Sequence, residues 1–300
     1  MIKHSPSLCF CVLGSNTQIG HALCDYLLER EIPFTALDLD DQGDVALCSE
    51  QIKEAYIVNT LPEELPSGLV MNEDQLLKVT EKLAAFCQSN EKVLFQISSA
   101  SVFDGQKKTS YKEADATHPI TESGQLLLKC EHKAQQRCVS TVILRTSWLF
   151  SDEGDNYLTR LCNAAVSEQQ MRFSGSMKAC PTNTLSIAKA FVAMAEQIDC
   201  RTEPALWGVY HYVDSDACSM FTFAKTAITV IKSMADVKIE TIEELTAEEG
   251  GINESYELSC RKILSAFGIK RHPWRRGLHD TLKQKYASSG SVEVNEMDKD

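Results

Sequence analysis

Hydrophobic and polar positions in this chain switch repeatedly between a period of two and a period near 3.6. Residues 8–13 (LCFCVL) form an apolar, partly β-branched run without charge, too short for a helix and typical of a strand buried on both faces. The run ends at Gly14, and beyond a tight turn Ile19, Leu23, Tyr26 and Leu27 fall at helical spacing. Short strands are predicted at 33–41, 55–59, 92–97 and 141–145, and amphipathic helices at 75–87, 124–138 and 157–166. Strand and helix alternate through the first half, which implies a parallel sheet with crossover helices. From about residue 170 the pattern is less regular, with a helix at 187–198, a strand at 208–213, a helix at 221–234 and a last helical region from 261 past Trp274 to Lys285. The class is α/β: a doubly wound, Rossmann-like parallel sheet. It predicts a dinucleotide-binding domain over 1–150, with segments at about 185–215 returning to it, and a smaller C-terminal substrate lobe over 151–286. Residues 287–300 carry little apolar content and are expected to be disordered.

Strand, glycine turn and helix form a pyrophosphate seat, because N–H groups at the helix start point at the anion and glycines let the backbone approach it. The candidate cofactor residues there are Gly14, Thr17, Gln18, Ile19 and Gly20, with Gly20 where helix and strand pack closely. Asp38 ends the second strand; a carboxylate there accepts ribose hydroxyls and repels a 2′-phosphate, favouring NAD over NADP, although acidic turns also serve solubility. Asp44, Val45, Asn59, Thr60 and Leu61 complete the expected cofactor rim.

A net charge of −12 and a pI near 5.1 argue against nucleic acid and leave small molecules or proteins as partners. No apolar stretch reaches the length of a membrane span, and residues 1–14 lack a secretory pattern, so the expected location is cytoplasmic. The twelve cysteines are scattered, mostly in apolar runs, with no C-x-x-C pair; they read as reduced thiols, and no metal site is expected.

Several stretches, in order, resemble one family, the dTDP-4-dehydrorhamnose reductases (RmlD-like) among the extended short-chain dehydrogenases. Residues 97–105 (ISSASVFDG) resemble the family's I-S-T-D-Y-V-F-D-G, and 144–150 (LRTSWLF) its L-R-T-S-W-V-Y. Residues 180–182 (CPT) resemble its G-x-P-T turn, and 208–211 (GVYH) its G-x-Y-H. The resemblance implies an NAD(P) cofactor, a sugar-nucleotide substrate, an active-site hydroxyl at Ser99, and substrate contacts from Ser99, Ala100, Trp148, Pro181 and Thr182. It also implies a middle glycine where Thr17 stands, hence weakened cofactor binding.

The departures fall on the chemistry. The family's Y-G-x-S-K-x-x-G-E supplies a tyrosine proton donor and the lysine that lowers its pKa. Here residues 123–131 read SGQLLLKCE, so Ser123 and Leu127 take the two catalytic positions. The function expected is a divergent sugar-nucleotide-binding protein that binds NAD(P) weakly, its reductase activity impaired or lost. The alternatives are an active reductase of dTDP-rhamnose biosynthesis, or a non-catalytic regulatory subunit resembling that of methionine adenosyltransferase, working through a protein partner or as a homodimer. Trp148 stacks on a sugar or fills the core; Arg145 pairs with a phosphate or holds a strand; Tyr111 is expected at the surface and His211 in the core.

Overall fold

The computed structural model describes residues 8–39, 45–47, 52–65, 68–69, 71–167, 170–200, 206–245 and 254–290. The first half runs β1 (Phe10–Leu13), α1 (Gln18–Glu29), β2 (Phe34–Leu37), β3 (Tyr56–Asn59), the short pair β4 (Glu64–Leu65) and β5 (Gly68–Leu69), α2 (Glu73–Ser89), β6 (Val93–Ser99), a 3-10 turn at Ala100–Val102, α3 (Glu122–Arg137), β7 (Thr141–Thr146) and β8 (Leu149–Phe150). The second half runs α4 (Tyr157–Ser167), β9 (Gln170–Ser174), β10 (Lys178–Ala179), β11 (Thr182–Asn183), α5 (Thr184–Cys200), β12 (Gly208–His211), β13 (Cys218–Ser219), α6 (Met220–Lys232), β14 (Thr241–Leu245), α7 (Arg261–Phe267) and α8 (Trp274–Gly290).

Every residue of β1 is buried, and its alternation distributes side chains to two cores. Phe10 and Val12 pack with Leu23 and Leu27 of α1 and Phe191 of α5, whereas Cys11 and Leu13 pack with Leu76 and Leu83 of α2 and Cys130 of α3. A strand that serves both faces cannot alternate polar with apolar, which is why residues 8–13 read as one apolar run. The six-stranded sheet is parallel throughout, in the order β2-β1-β3-β6-β7-β12. The order reverses between β1 and β3, and a crevice at the carboxyl ends of strands is where such sheets place ligands.

A third core lies among α4, α6 and α8, where Leu158, Phe223, Trp274 and Leu278 are buried with Phe150. The parallel pair β9 and β14 contributes Met171, Phe173 and Ile242 to its edge. The single last helical region expected from the sequence is two helices: α7 ends on Gly268, whose φ of +70° is the left-handed conformation that closes a helix, and α8 starts after Pro273. α8 extends to Gly290, past the point where disorder was expected to begin; residues 291–300 lie outside the described residues. Every described cysteine is free and most are buried; no described cluster of His, Cys, Asp and Glu could hold a metal, and no described helix is long and apolar enough to cross a membrane.

Candidate functional site

A cleft of about 350 Å³ opens where β6 and β7 end, lined by Ser99, Ala100, Ser123, Trp148, Tyr157 and Tyr256 together with the acidic side chains Glu63, Glu64 and Glu254. No lysine or arginine stands among the described residues that line it. β6 delivers Ser99 at its last position, and the Ser99 hydroxyl caps the 3-10 turn by accepting from Ser101 N at 3.2 Å. α3 delivers Ser123 in its first turn, after Thr121 caps the helix at Gly124 N.

The two serines meet on one carboxylate. Ser99 Oγ donates to Glu64 Oε2 at 2.5 Å and Ser123 Oγ to Glu64 Oε1 at 2.7 Å, so both carboxylate oxygens are engaged. Leu127, one turn further along α3, is fully buried in the apolar core cluster that also holds Ala100 and Val102 of the 3-10 turn. The two tyrosines of the cleft have phenols pushed up from their ordinary pKa, Tyr157 by burial and then by Glu64, Tyr256 by burial and then by Glu254. That is opposite to the tuning a proton-donating tyrosine needs at neutral pH.

Trp148 sits between β7 and β8 with φ +37°, a conformation that bulky residues rarely adopt. It is half-buried, lies at the cleft wall and tilts at 50° against the Tyr157 ring with centroids 6.1 Å apart. Of the two readings left open by the sequence, the core position is the one the structure corrects. Pro181 borders an adjoining apolar recess with Trp148. Thr182 does not reach the cleft: fully buried, its hydroxyl donates to Cys180 O at 2.9 Å and accepts from Asp214 N at 3.3 Å, because β11 pairs with β8 and turns the side chain into the fold.

Beneath the cleft, Arg145 forms a buried two-pronged ion pair with Glu131, Nε to Oε1 at 2.8 Å and Nη2 to Oε2 at 2.6 Å, and Ser98 Oγ donates to Oε1 at 2.6 Å. The guanidinium is thereby committed to the fold and not to a phosphate. Burial pushes the His211 imidazole down to about 3, so it is neutral in the core. Tyr111 is also interior, contrary to expectation: its ring stacks on Phe103 at 4.2 Å and its hydroxyl donates to Asp104 at 2.6 Å.

At the glycine turn, Gly14 has φ +84°, and a Cβ on Gly20 would lie 2.0 Å from Gly14 O, so close packing of α1 on β1 requires glycine there. Thr17, read from sequence as an obstruction, is the helix cap: its hydroxyl accepts from Gly20 N at 3.0 Å and donates to Thr60 Oγ1 at 2.8 Å. The N–H groups of Gln18 and Ile19 are taken by the carboxylate of Glu63, at 3.2 and 2.7 Å. Glu63 is 1% exposed, and burial raises the pKa of its carboxyl against the pull of those hydrogen bonds. Residues expected to bind a dinucleotide pyrophosphate are therefore assembled, yet they do not fit one while Glu63 holds them.

Asp38 is exposed at the end of β2 and accepts from Ser15 Oγ at 3.0 Å. Asn59 binds Gln96 across the sheet at 2.9 Å, Thr60 Oγ1 lies 2.9 Å from both Leu13 O and Gly14 O, and Val45 and Leu61 are buried in the core cluster that α2 and α3 share. Asp44 lies outside the described residues. Sequence reasoning missed Glu63, Glu64, Tyr157 and Tyr256. None of the four left a signal that separates it from an ordinary structural or surface residue: the two acids after Pro62 look like a solvated turn beyond the strand predicted at 55–59.

Comparison with known proteins gives the same architecture. The chain is 25% identical over 288 residues to a dTDP-4-dehydrorhamnose reductase of Aggregatibacter actinomycetemcomitans, covering 89% of this chain and 96% of that protein. Among solved structures, dTDP-4-dehydrorhamnose reductase of Clostridium acetobutylicum superposes with a TM-score of 0.77 at 19% identity, over 92% of this chain and 99% of that one. The Bacillus anthracis dTDP-4-dehydrorhamnose reductase, solved in complex with NADP, superposes at 0.75 and 20% identity, over 93% and 100%. With the profile of the RmlD substrate binding domain matching residues 10–287, nearly the whole described fold, the chain belongs to the RmlD substrate binding domain family.

Proposed function

We propose that this chain is a sugar-nucleotide-binding protein of the dTDP-4-dehydrorhamnose reductase type in which reductase chemistry is lost and dinucleotide affinity is weak. The observation that carries this reading is the pair of positions on α3: Ser123 donates its proton to Glu64 and Leu127 lies in the core, so neither a phenol nor an ammonium stands where the family's proton relay would be. A serine hydroxyl tied to a carboxylate is a poor acid at neutral pH, and general acid–base catalysis is worth about 10²–10⁴-fold. The cleft tyrosines do not replace it, since their acidity is shifted the wrong way. Binding survives this loss because it rests on other groups. Trp148 offers an apolar ring face at the cleft wall, of the kind on which sugars stack, and Asp38 keeps an anion at the end of β2 that favours NAD over NADP.

The test is incubation with dTDP-4-keto-6-deoxymannose and either NADH or NADPH, following nicotinamide absorbance, beside calorimetry with the sugar nucleotide alone. The expected result is binding heat without oxidation above the no-enzyme rate. Robust turnover by the unaltered chain would overturn the reading, and absence of binding heat would remove its sugar-nucleotide part.

A further inference from the structure

A helix leaves its first N–H groups without intrahelical partners, and its positive end attracts an anion. α1 carries no acidic residue in its own first turn. The charge arrives from 45 positions away in the chain, with Glu63 Oε2 on Ile19 N at 2.7 Å and Oε1 on Gln18 N at 3.2 Å. Around it the accounting closes: Thr17 N donates to Gly14 O at 3.0 Å and Gly20 N to Thr17 Oγ1 at 3.0 Å. No donor of the first turn is left over for a ligand.

The carboxylate is built in, not laid on. The Gln18 amide donates to Glu63 Oε1 at 3.0 Å and to Asp155 O at 3.2 Å, while its own oxygen accepts from Ser151 Oγ and Asn156 Nδ2, each at 2.9 Å. Asn156 is itself 1% exposed. One network therefore ties the loop after β3, the start of α1 and the segment before α4 around a single negative charge. In a doubly wound fold those same N–H groups cradle the cofactor's pyrophosphate. Two anions cannot share one set of donors.

We propose that Glu63 is an internal substitute for the dinucleotide pyrophosphate, so that the described conformation is closed to NAD(P) and cofactor reaches α1 only when this carboxylate is displaced. The inference rests on α1 being the dinucleotide helix of the proposed function but not on the loss of reductase chemistry, because a cofactor can bind where no hydride moves. It also relocates the cause of weak binding. Thr17 caps the helix, and the obstruction is Glu63.

Calorimetric titration with NADH and with NADPH, without sugar nucleotide, tests this on the full chain and on Glu63→Gln and Glu63→Ala, with circular dichroism to establish that each variant folds. Glu63→Gln keeps the shape and one acceptor while removing the charge, and it decides the matter if Glu63→Ala does not fold. The expected wild-type dissociation constant is weaker than about 100 µM, and each folded variant binds at least about tenfold tighter, the low end of what one hydrogen bond to a charged group is worth. Inorganic pyrophosphate is expected to raise the melting temperature of Glu63→Ala and leave that of the wild type unmoved. Wild-type binding tighter than about 100 µM, or folded variants that bind no more tightly than wild type, would overturn the proposal. Turnover measurements do not enter, so this outcome and that of the proposed function are read separately.

Discussion

The Arg145–Glu131 pair gives a quantitative test of how the cleft floor is held. Glu131 accepts three hydrogen bonds, two from the guanidinium and one from Ser98, and the paired side chains are only 4% and 2% exposed. Arg145 also lies 5.1 Å over the Phe103 ring, which in turn stacks on Tyr111. Three bonds to charged groups at about 1.5–3 kcal/mol each give a gross sum of about 4.5–9 kcal/mol, but burying both charges removes much of it. The asymmetry survives that offset. Glu131→Leu strands a guanidinium and Arg145→Met strands a carboxylate, and each is expected to cost about 3–5 kcal/mol. The double variant strands neither, so it is expected to be no less stable than the worse single variant, a coupling of at least about 3 kcal/mol. The assay is urea unfolding, with coincident fluorescence and circular dichroism transitions as the condition for assigning a free energy. Single costs below about 1 kcal/mol, or a double cost equal to the sum of the singles, would refute the reasoning.

Two further outcomes follow from buried positions. Leu127→Lys, the change that would restore the family's lysine, is expected to destabilise the chain by about 3–5 kcal/mol, because the ammonium would replace a fully buried apolar side chain; a melting temperature equal to wild type would count against that packing. Asp214 has a carboxyl that burial pushes up to about 6, with Oδ2 accepting from Asn183 N and Ser186 Oγ and Oδ1 left without a partner. Since the unfolded chain loses this proton first, the stability that Asp214 contributes is fully present below about pH 4 and is lost, by about 3 kcal/mol, as pH rises to about 6. Asp214→Asn lacks that slope, so unfolding free energies of the two proteins should diverge across this window; a constant gap would show that Asp214 does not titrate as argued.

The elements around β1 were legible because their causes are local. An apolar run, a glycine turn and 3.6-residue spacing are all written within 8–28, and the burial of Phe10, Val12, Leu23 and Leu27 follows from them. The β9 and β14 pair was not legible, since both strands are short, largely exposed and joined to each other across the chain rather than to a neighbour. Helical spacing continues from 261 past Trp274, and the break between α7 and α8 is carried only by Gly268 and Pro273. At the site, the serine and leucine stand out only against the family motif that residues 123–131 resemble. Glu63 does not stand out, because a glutamate after proline reads as a solvated turn, and only the folded chain shows it reaching a helix start 45 positions earlier. Thr17 was misread for the same reason: its hydroxyl is an obstacle or a cap depending on what stands opposite.

Satisfying α1 from within also changes how the chain answers to its surroundings. A protein whose helix start waits for a nucleotide gains folding stability in proportion to the logarithm of that nucleotide's concentration, about 2.7 kcal/mol at a hundred times the dissociation constant. Such a protein is firm in a replete cell and frail in a starved one. With the Gln18 and Ile19 donors already paired to Glu63, this fold satisfies its helix start from its own sequence instead.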